Sequence, residues 1–319
     1  MPRAILPKVL VAMSALVAPA HAEDVTLRLP WILNVQGAGY VMALEKGFYK
    51  EAGLDVEIMP GGPNLNSTAL VASGANTFGT HDVTGLLLGA AQGMDLVAVG
   101  ACFQRHPGGV ISVASSGIKE PKDLVGKTLA YSEGGPWLLV KAMLAREGVS
   151  LDDIKLVVSP STELLINGNV DAKTGFTVNE PIAVELAGIP TNIILPSDFG
   201  VKTNAEVIFT TRAYLAEHPD TVRSFVEATV RGYEYAYANP DETVAAVVKR
   251  NDQLDPVQQR EQLRRQESYV YTEFTREKGP CAFDTAVFAD TKAVLMEFTD
   301  YKSDVDPDTL YSTDFVPTR

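Results

Sequence analysis

Residues 25–62 read VTLRLPWILNVQGAGYVMALEKGFYKEAGLDVEIMPGG, and their pattern decides the fold. VTLRLPW alternates apolar and polar residues, the mark of a half-buried strand. GAGYVMALEKGFYKEAG follows with helical spacing and ends at a glycine. LDVEIMP is a second strand, closed by the turn GGPNLN at 61–66. Strand, helix, strand in this order calls for a parallel pair with the helix packed across it. The order then continues through the helix STALVAS, the short strand in GANTFGTHD, the helix VTGLLLGAAQG and the strand LVAVGACF.

After Phe103 the pattern restarts. GVISVAS, KTLAYSE, IKLVVSP, DAKTGFT and TNIILPS are strands, with the helices PWLLVKAMLAREG, TELLINGNV and NEPIAVELAG among them. EVIFTT closes the series, and the last third is helical. There Val222, Phe225, Val226, Thr229, Val230 and Tyr233 keep helical spacing. NPDET at 239–243 is a helix start, with Asn239 at the cap, proline next and acids in the first turn. The prediction is an α/β fold of two lobes, each a mostly parallel sheet flanked by helices. Pro107, Gly108, Gly109 and Gly200 permit reversal where the chain crosses. Lobe 1 is therefore expected from 23–104 and 205–319, lobe 2 from 105–204, with the C-terminal helices packed back on lobe 1.

The chain has 319 residues, 46% hydrophobic and 21% charged, which suits a well-cored globular protein. Its formal net charge of −13 argues against nucleic-acid binding, because neutralising phosphates needs clustered Lys and Arg. At the N-terminus Arg3 and Lys8 precede the apolar run VLVAMSALVA, followed by Ala20-His21-Ala22. This reads as a signal peptide over residues 1–22, cleaved after Ala22. The run is about half the roughly 20 residues that span a bilayer, so export to the periplasm without a membrane anchor is expected. Cys102 and Cys281 stand far apart and fit no metal-type spacing. An exported chain could bridge them; the reading favoured here is two separate small apolar residues.

In a two-lobe α/β protein the ligand sits between the lobes at the carboxyl ends of the strands. That makes the strand-to-helix loops the candidate site. Trp31, Tyr40, Trp137 and Phe176 fall on or beside these loops and can offer flat faces for stacking, or pack in the core. Asn34, Gln36, Asn64 and Asn179 can supply paired donors and acceptors to a heterocycle edge. Gly37 and Gly39 would open the first helix start to a ligand. In GGPNLN, backbone N–H groups could hold an anion, or the segment is simply a tight turn. SEGGPW at 132–137 is a second such turn, where Gly134 and Gly135 permit close backbone approach. Glu133, Asp82 and Glu180 would repel a bare sulfonate or nitrate and accept hydrogen bonds from an amino group or ring N–H. Each would equally serve as an acid at a helix start, favoured by the dipole.

Arg105 could pair a ligand carboxylate. His81 and His106 lack the spacing of a metal site, and no G-x-S-x-G elbow is present. No metal, cofactor or catalytic residue is assigned.

The segments Trp31–Tyr40, Gly47–Gly62, Leu70–Gly74, Asp123–Tyr131, GNVDAKTGFTVNEP at 168–181 and the helices over 218–242 together resemble a known group. It is the periplasmic substrate-binding proteins of ABC importers, in the nitrate, sulfonate and thiamine-precursor branch. EKGFYKEAGLDVEI and DLVGKTLAY carry much of that resemblance, and Trp31-x-x-Asn34 with Asn179-Glu180-Pro181 is similar to binders of the thiamine pyrimidine precursor. Such binders often carry His where Gln36 stands. The resemblance implies a type II-like two-lobe fold and a small-molecule ligand captured by hinge closure. It further implies an ABC permease and its ATPase as partners, and a monomer. A planar nitrogen heterocycle is the leading ligand class, with alkanesulfonates, aromatic carboxylates and flavins as alternatives. Enzymes of pyrimidine synthesis on the same fold carry a cysteine-rich iron motif that this sequence lacks. A sensory ligand-binding protein is a third class.

Overall fold

The structure is a computed structural model that describes residues 22–62 and 65–317. The signal-peptide reading over 1–21 and the candidate Asn64 lie outside the described residues. The strands are β1 (Glu23–Arg28), β2 (Leu54–Met59), β3 (Phe78–His81), β4 (Leu96–Phe103), β5 (Gly108–Val113), β6 (Thr128–Tyr131), β7 (Lys155–Val158), β8 (Ala172–Phe176), β9 (Thr191–Ile194) and β10 (Ala205–Thr211). They form two five-stranded sheets, ordered β2-β1-β3-β10-β4 and β7-β6-β8-β5-β9.

The two orders are the same order. β1 pairs parallel with β2 and β3, as β6 does with β7 and β8. In each sheet one strand runs against the rest. β10 is antiparallel to both β3 and β4, and β5 is antiparallel to both β8 and β9. The reversed strands are the ones that bring the chain across from the other lobe. Such a strand starts at the inter-lobe side, where the four strands of the βαβ windings end, and so it runs opposite to them. The expected mostly parallel sheets are thus mixed sheets with four strands in one direction.

β4 is buried along all eight residues, as an apolar run between two covered faces requires. In β1 only Val25 and Leu27 are buried, which matches its alternation. The helix Pro219–Ala238 lies against the first helix, Ala38–Glu45, at glycine contacts. A Cβ on Gly39 would stand 2.0 Å from the Tyr233 ring, and one on Gly232 would stand 2.1 Å from the Gly39 carbonyl oxygen. Gly39 therefore lets two helices touch; it does not open a ligand path. Phe225 from the same helix is stacked between Phe78 (4.1 Å) and Tyr49 (5.3 Å).

The C-terminal helices do more than cover lobe 1. Phe288 and Leu295 of the helix Ala286–Phe298 sit in the lobe 1 core, while Val294 and Phe298 pack on the lobe 2 core beside Trp137 and Leu139. Arg265, on the helix Pro256–Val270, pairs with Glu185 of the lobe 2 helix Glu180–Leu186. Both helices strap the lobes together outside the crossing strands.

Cys102 and Cys281 form a disulfide, which corrects the expectation of two separate apolar residues. The fold supplies the proximity that a separation of 179 residues conceals. The segment at Cys281 lies along β4, and Ala101 N–H donates to the Cys281 carbonyl at 2.8 Å. Closing so long a loop removes entropy from the unfolded chain, worth roughly 3–5 kcal/mol on the chain-entropy account. Cys102→Ala with Cys281→Ala should lower the denaturant-extrapolated stability by about that amount. An unchanged urea midpoint, with or without reductant, would refute the bridge.

Candidate functional site

A cleft of about 260 Å³ opens between the sheets. Its lobe 1 wall comes from the loops after β1 and β3 and from the start of β10. Its lobe 2 wall comes from the loops after β6 and β8. Ten of the sequence-selected residues line it: Trp31, Asn34, Gln36, Asp82, Glu133, Gly134, Gly135, Phe176, Asn179 and Glu180.

Two do not. Tyr40 is fully buried in lobe 1, edge-on to Tyr233 at 5.5 Å. Trp137 is buried in lobe 2, stacked on Tyr131 at 4.4 Å, because its place in the first helical turn after Gly135 points it inward. Arg105 pairs with Asp198 outside the cleft lining. The structure adds His81, His106, Ser132, Lys173, Thr174 and Glu206 to the lining. Lys173 and Glu206 had no sequence signal beyond a charge inside an otherwise strand-like run.

Trp31 is 43% exposed and lines the cleft. Asn34 caps the turn Val35–Gly37 by accepting from Gln36 N at 2.7 Å, which fixes how Gln36 leaves the backbone. The Gln36 Nε2 donates to Glu206 Oε1. On the other wall Phe176 meets the His106 ring edge-on at 5.4 Å. Asn179 Oδ1 accepts from Gln258 Nε2 at 2.9 Å, a contact that crosses from lobe 2 to lobe 1.

Asp82 is the most heavily bonded acid. Its Oδ1 accepts from Gly85 N at 2.7 Å and from the Thr84 hydroxyl, capping the helix Val83–Ala91. Its Oδ2 meets His106 Nε2 at 3.1 Å. Gly108 N donates to His106 Nδ1 at 2.8 Å, so the proton of a neutral His106 resides on Nε2 and points at Asp82. Burial alone would raise the Asp82 carboxyl, but His81 and His106 outweigh it and hold it well below the usual carboxylate range. Burial likewise opposes charge on His81, and the adjoining Asp82 reverses that, so His81 is raised.

Glu180 and Glu206 go the other way. Burial raises Glu180 despite Lys173 at 3.6 Å and the Phe176 N–H at 2.9 Å. Glu206 is 3% exposed, and burial pushes its carboxyl up to about 7 against the opposing pull of Gln36 and His81. Its backbone has φ 49°, a left-handed conformation that a residue with a Cβ adopts only under constraint. Among the described residues no group of three or more His, Cys, Asp or Glu side chains could hold a metal ion.

The lobes touch at the cleft. A Cβ on Gly135 of lobe 2 would stand 2.1 Å from Asp82 Oδ2 of lobe 1. Glycine is required there because Asp82 is pinned and cannot give way.

Two sheets of one strand order, with a cleft lined from both, define the two-lobe fold of periplasmic binding proteins. The chain belongs to the family described as NMT1/THI5 like, which matches residues 34–243. It is 27% identical over 305 residues to the riboflavin-binding protein RibY of Chloroflexus aurantiacus, covering 92% of this chain and 86% of that one. It is 28% identical to the formylaminopyrimidine-binding protein of Halalkalibacterium halodurans, over 73% of this chain and 72% of the relative. It is also 24% identical to the 4-amino-5-hydroxymethyl-2-methylpyrimidine phosphate synthase of Legionella pneumophila, over 72% and 74%. In fold it resembles the periplasmic aliphatic sulphonate binding protein SsuA from Escherichia coli, with a TM-score of 0.72, 14% identity, and coverage of 93% and 94%. Among the described residues no helix is long and apolar enough to cross a membrane.

Two outcomes follow from the geometry. Gly135→Ala should hold the lobes apart, weakening capture of any ligand about tenfold or more while leaving the melting temperature nearly unchanged. A titration showing wild-type affinity would refute the contact. Glu206 ionises near pH 7 when folded and near 4.5 when unfolded, so the unfolded chain binds fewer protons between those values. Its penalty on stability therefore grows as pH rises from about 4.5 to 7 and is complete above. Glu206→Gln should stabilise the ligand-free protein by about 2–3 kcal/mol at pH 8 and by little at pH 4.5. Equal effects at both pH values would contradict that assignment.

Proposed function

We propose that this chain is the solute-binding component of an ABC importer. It captures a small planar nitrogen heterocycle and hands it to a permease driven by its ATPase. The reading includes export to the periplasm, cleavage after Ala22 and action as a monomer without a membrane anchor. The observation that carries the ligand class is the lining: four carboxylates, Asp82, Glu133, Glu180 and Glu206, beside the flat faces of Trp31 and Phe176. Lys173, 1% exposed, offsets the charge of Glu180 and is held by it and the Thr162 hydroxyl, which takes up its charge before a bound anion could. A sulfonate offers only acceptors and negative charge, and would meet carboxyl oxygens in a partly desolvated space. A ring with N–H groups offers donors, and its faces can stack on Trp31. The relatives named for formylaminopyrimidine and riboflavin both take planar nitrogen heterocycles, which supports the same class.

Capture follows from the two walls. A ligand that touches Trp31, Gln36 and Asp82 on one lobe and Glu133, Phe176 and Glu180 on the other favours the closed arrangement by its differential contacts. The cross-lobe pairs Gln258–Asn179 and Arg265–Glu185 would add to that state.

An enzymatic reading is favoured by one observation, a cleft carboxyl, Glu206, poised near neutrality. Turnover separates the two. Incubation with 4-aminopyrimidines or riboflavin should return each compound unchanged and release no new 4-aminopyrimidine; formation of a 4-aminopyrimidine, or conversion of either probe, would favour the enzyme.

The binding reading is tested by thermal shift. A 4-aminopyrimidine or riboflavin at about 100 times its Kd should stabilise the protein by about 2.7 kcal/mol, whereas alkanesulfonates should not shift it. A shift with sulfonates alone would sink the heterocycle reading. Trp31→Ala should cost about 1–3 kcal/mol of affinity, the usual worth of one base stacked on an aromatic ring. Unchanged affinity would remove Trp31 from the ligand.

A further inference from the structure

Glu206 is costly in three ways at once. It holds a left-handed backbone, it is almost wholly buried, and its carboxyl lies where charge is opposed by burial. The strand begins at Ala205 and continues with Val207, Ile208 and Phe209 in the core, whereas Glu206 turns its carboxyl to Gln36 and the cleft. Costs of this kind persist at positions that serve a ligand. The groups that bear on it come from every element around it. Gln36 lies on the turn after β1, Tyr40 on the first helix, His81 on β3 and Asp82 at the following helix start. Tyr233 and Tyr237 lie behind, on the helix Pro219–Ala238. Gln36 fixes the carboxyl by donating to Oε1, and both side chains line the cleft.

We propose that Glu206, held by Gln36, is the residue that selects the ligand, pairing edge-on with a heterocycle that presents an acceptor next to an N–H donor. This rests on the heterocycle reading above and narrows it. A carboxyl carrying one proton offers a donor and an acceptor side by side. An amidine edge (ring nitrogen beside an amino group) or a lactam edge (carbonyl beside N–H) offers the reverse at matching spacing. Two parallel hydrogen bonds form, the carboxyl O–H donating to the ligand acceptor and the ligand N–H donating to the other carboxyl oxygen, and no covalent bond is made or broken. An alkylated edge keeps the acceptor and loses the donor, so the carboxyl is left half-paired in a buried place, which is strongly penalised. A sulfonate offers acceptors only.

The pairing has a pH signature that a packing role would lack. The complex needs the carboxyl proton, so affinity falls by up to tenfold per pH unit above about pH 7. His81, Asp82 and the tyrosines remain in any Glu206 variant, and of these His81 also feels the Glu206 charge, so the Glu206 contribution is read from the fall in affinity above pH 7.

The test uses calorimetric titration of the whole protein at pH 6 and pH 8.5. The probes are 4-aminopyrimidine, its N,N-dimethyl counterpart, riboflavin and its N3-methyl counterpart. The proteins are wild type, Glu206→Gln and Glu206→Leu, each checked for a cooperative melt. Wild type should prefer at least one N–H probe over its methylated partner by tenfold or more, and lose at least tenfold in affinity between the two pH values. Glu206→Leu should lose both the preference and the pH dependence. Glu206→Gln, which keeps a fixed donor and acceptor, should keep part of the preference and lose the pH dependence. If neither N–H probe binds wild type, both this inference and the heterocycle reading fall. If they bind but methylation costs nothing, or if the variants keep the wild-type profile, this inference alone falls.

Discussion

The chain crosses between its lobes twice, and each crossing forces one strand to run backward. That constraint organises the rest. The strands of each βαβ winding end at the cleft, and the crossing strands begin there. The loops after β1, β3, β6 and β8 therefore converge on one space with the first residues of β10. Because β5 and β10 hold the same place in the two sheets, the two walls are built alike and face each other.

The chemistry of that space is set by acids kept in opposite states. Asp82 is stabilised as an anion by two histidines and a helix N-terminus, and it doubles as the cap that starts its own helix. Glu206 and Glu180 are pushed toward neutrality by burial. One cleft thus holds a fixed negative charge beside carboxyls able to donate as well as accept.

Much of this was legible in the sequence because parallel strands leave a period and a polarity. The alternation of apolar runs and helical spacing placed the strands, and the rule that ligands gather at strand carboxyl ends selected Trp31, Gln36, Asp82, Glu133, Phe176 and Glu180. The same rule hid Glu206, which stands at the amino end of a reversed strand. Lys173 was hidden inside a strand, where only the sheet's facing decides whether a side chain meets the cleft. Tyr40 and Trp137 lie in the core and not the cleft, because an aromatic in the first turn of a helix points to one or the other according to the helix's roll, which composition does not carry. Gly39 reads from the sequence as an opening toward a ligand, whereas its neighbour in the fold is a helix 194 positions later, around Tyr233. The cysteine pair was missed for a related reason, since contact across 179 residues is a property of the fold.

The disulfide also alters what kind of object the second lobe is. β5 through β9 all fall between Cys102 and Cys281, so the whole of lobe 2 lies within one covalently closed ring that also takes in β10 and the helices that follow it up to Cys281. Tension applied through the two ends of the described chain runs through β4, across the bridge and into the C-terminal segment, and bypasses lobe 2. A backbone cut on the exposed residues around Ser161 would leave the molecule in one piece. Lobe 2 is thus shielded from mechanical load and from loss by a single nick.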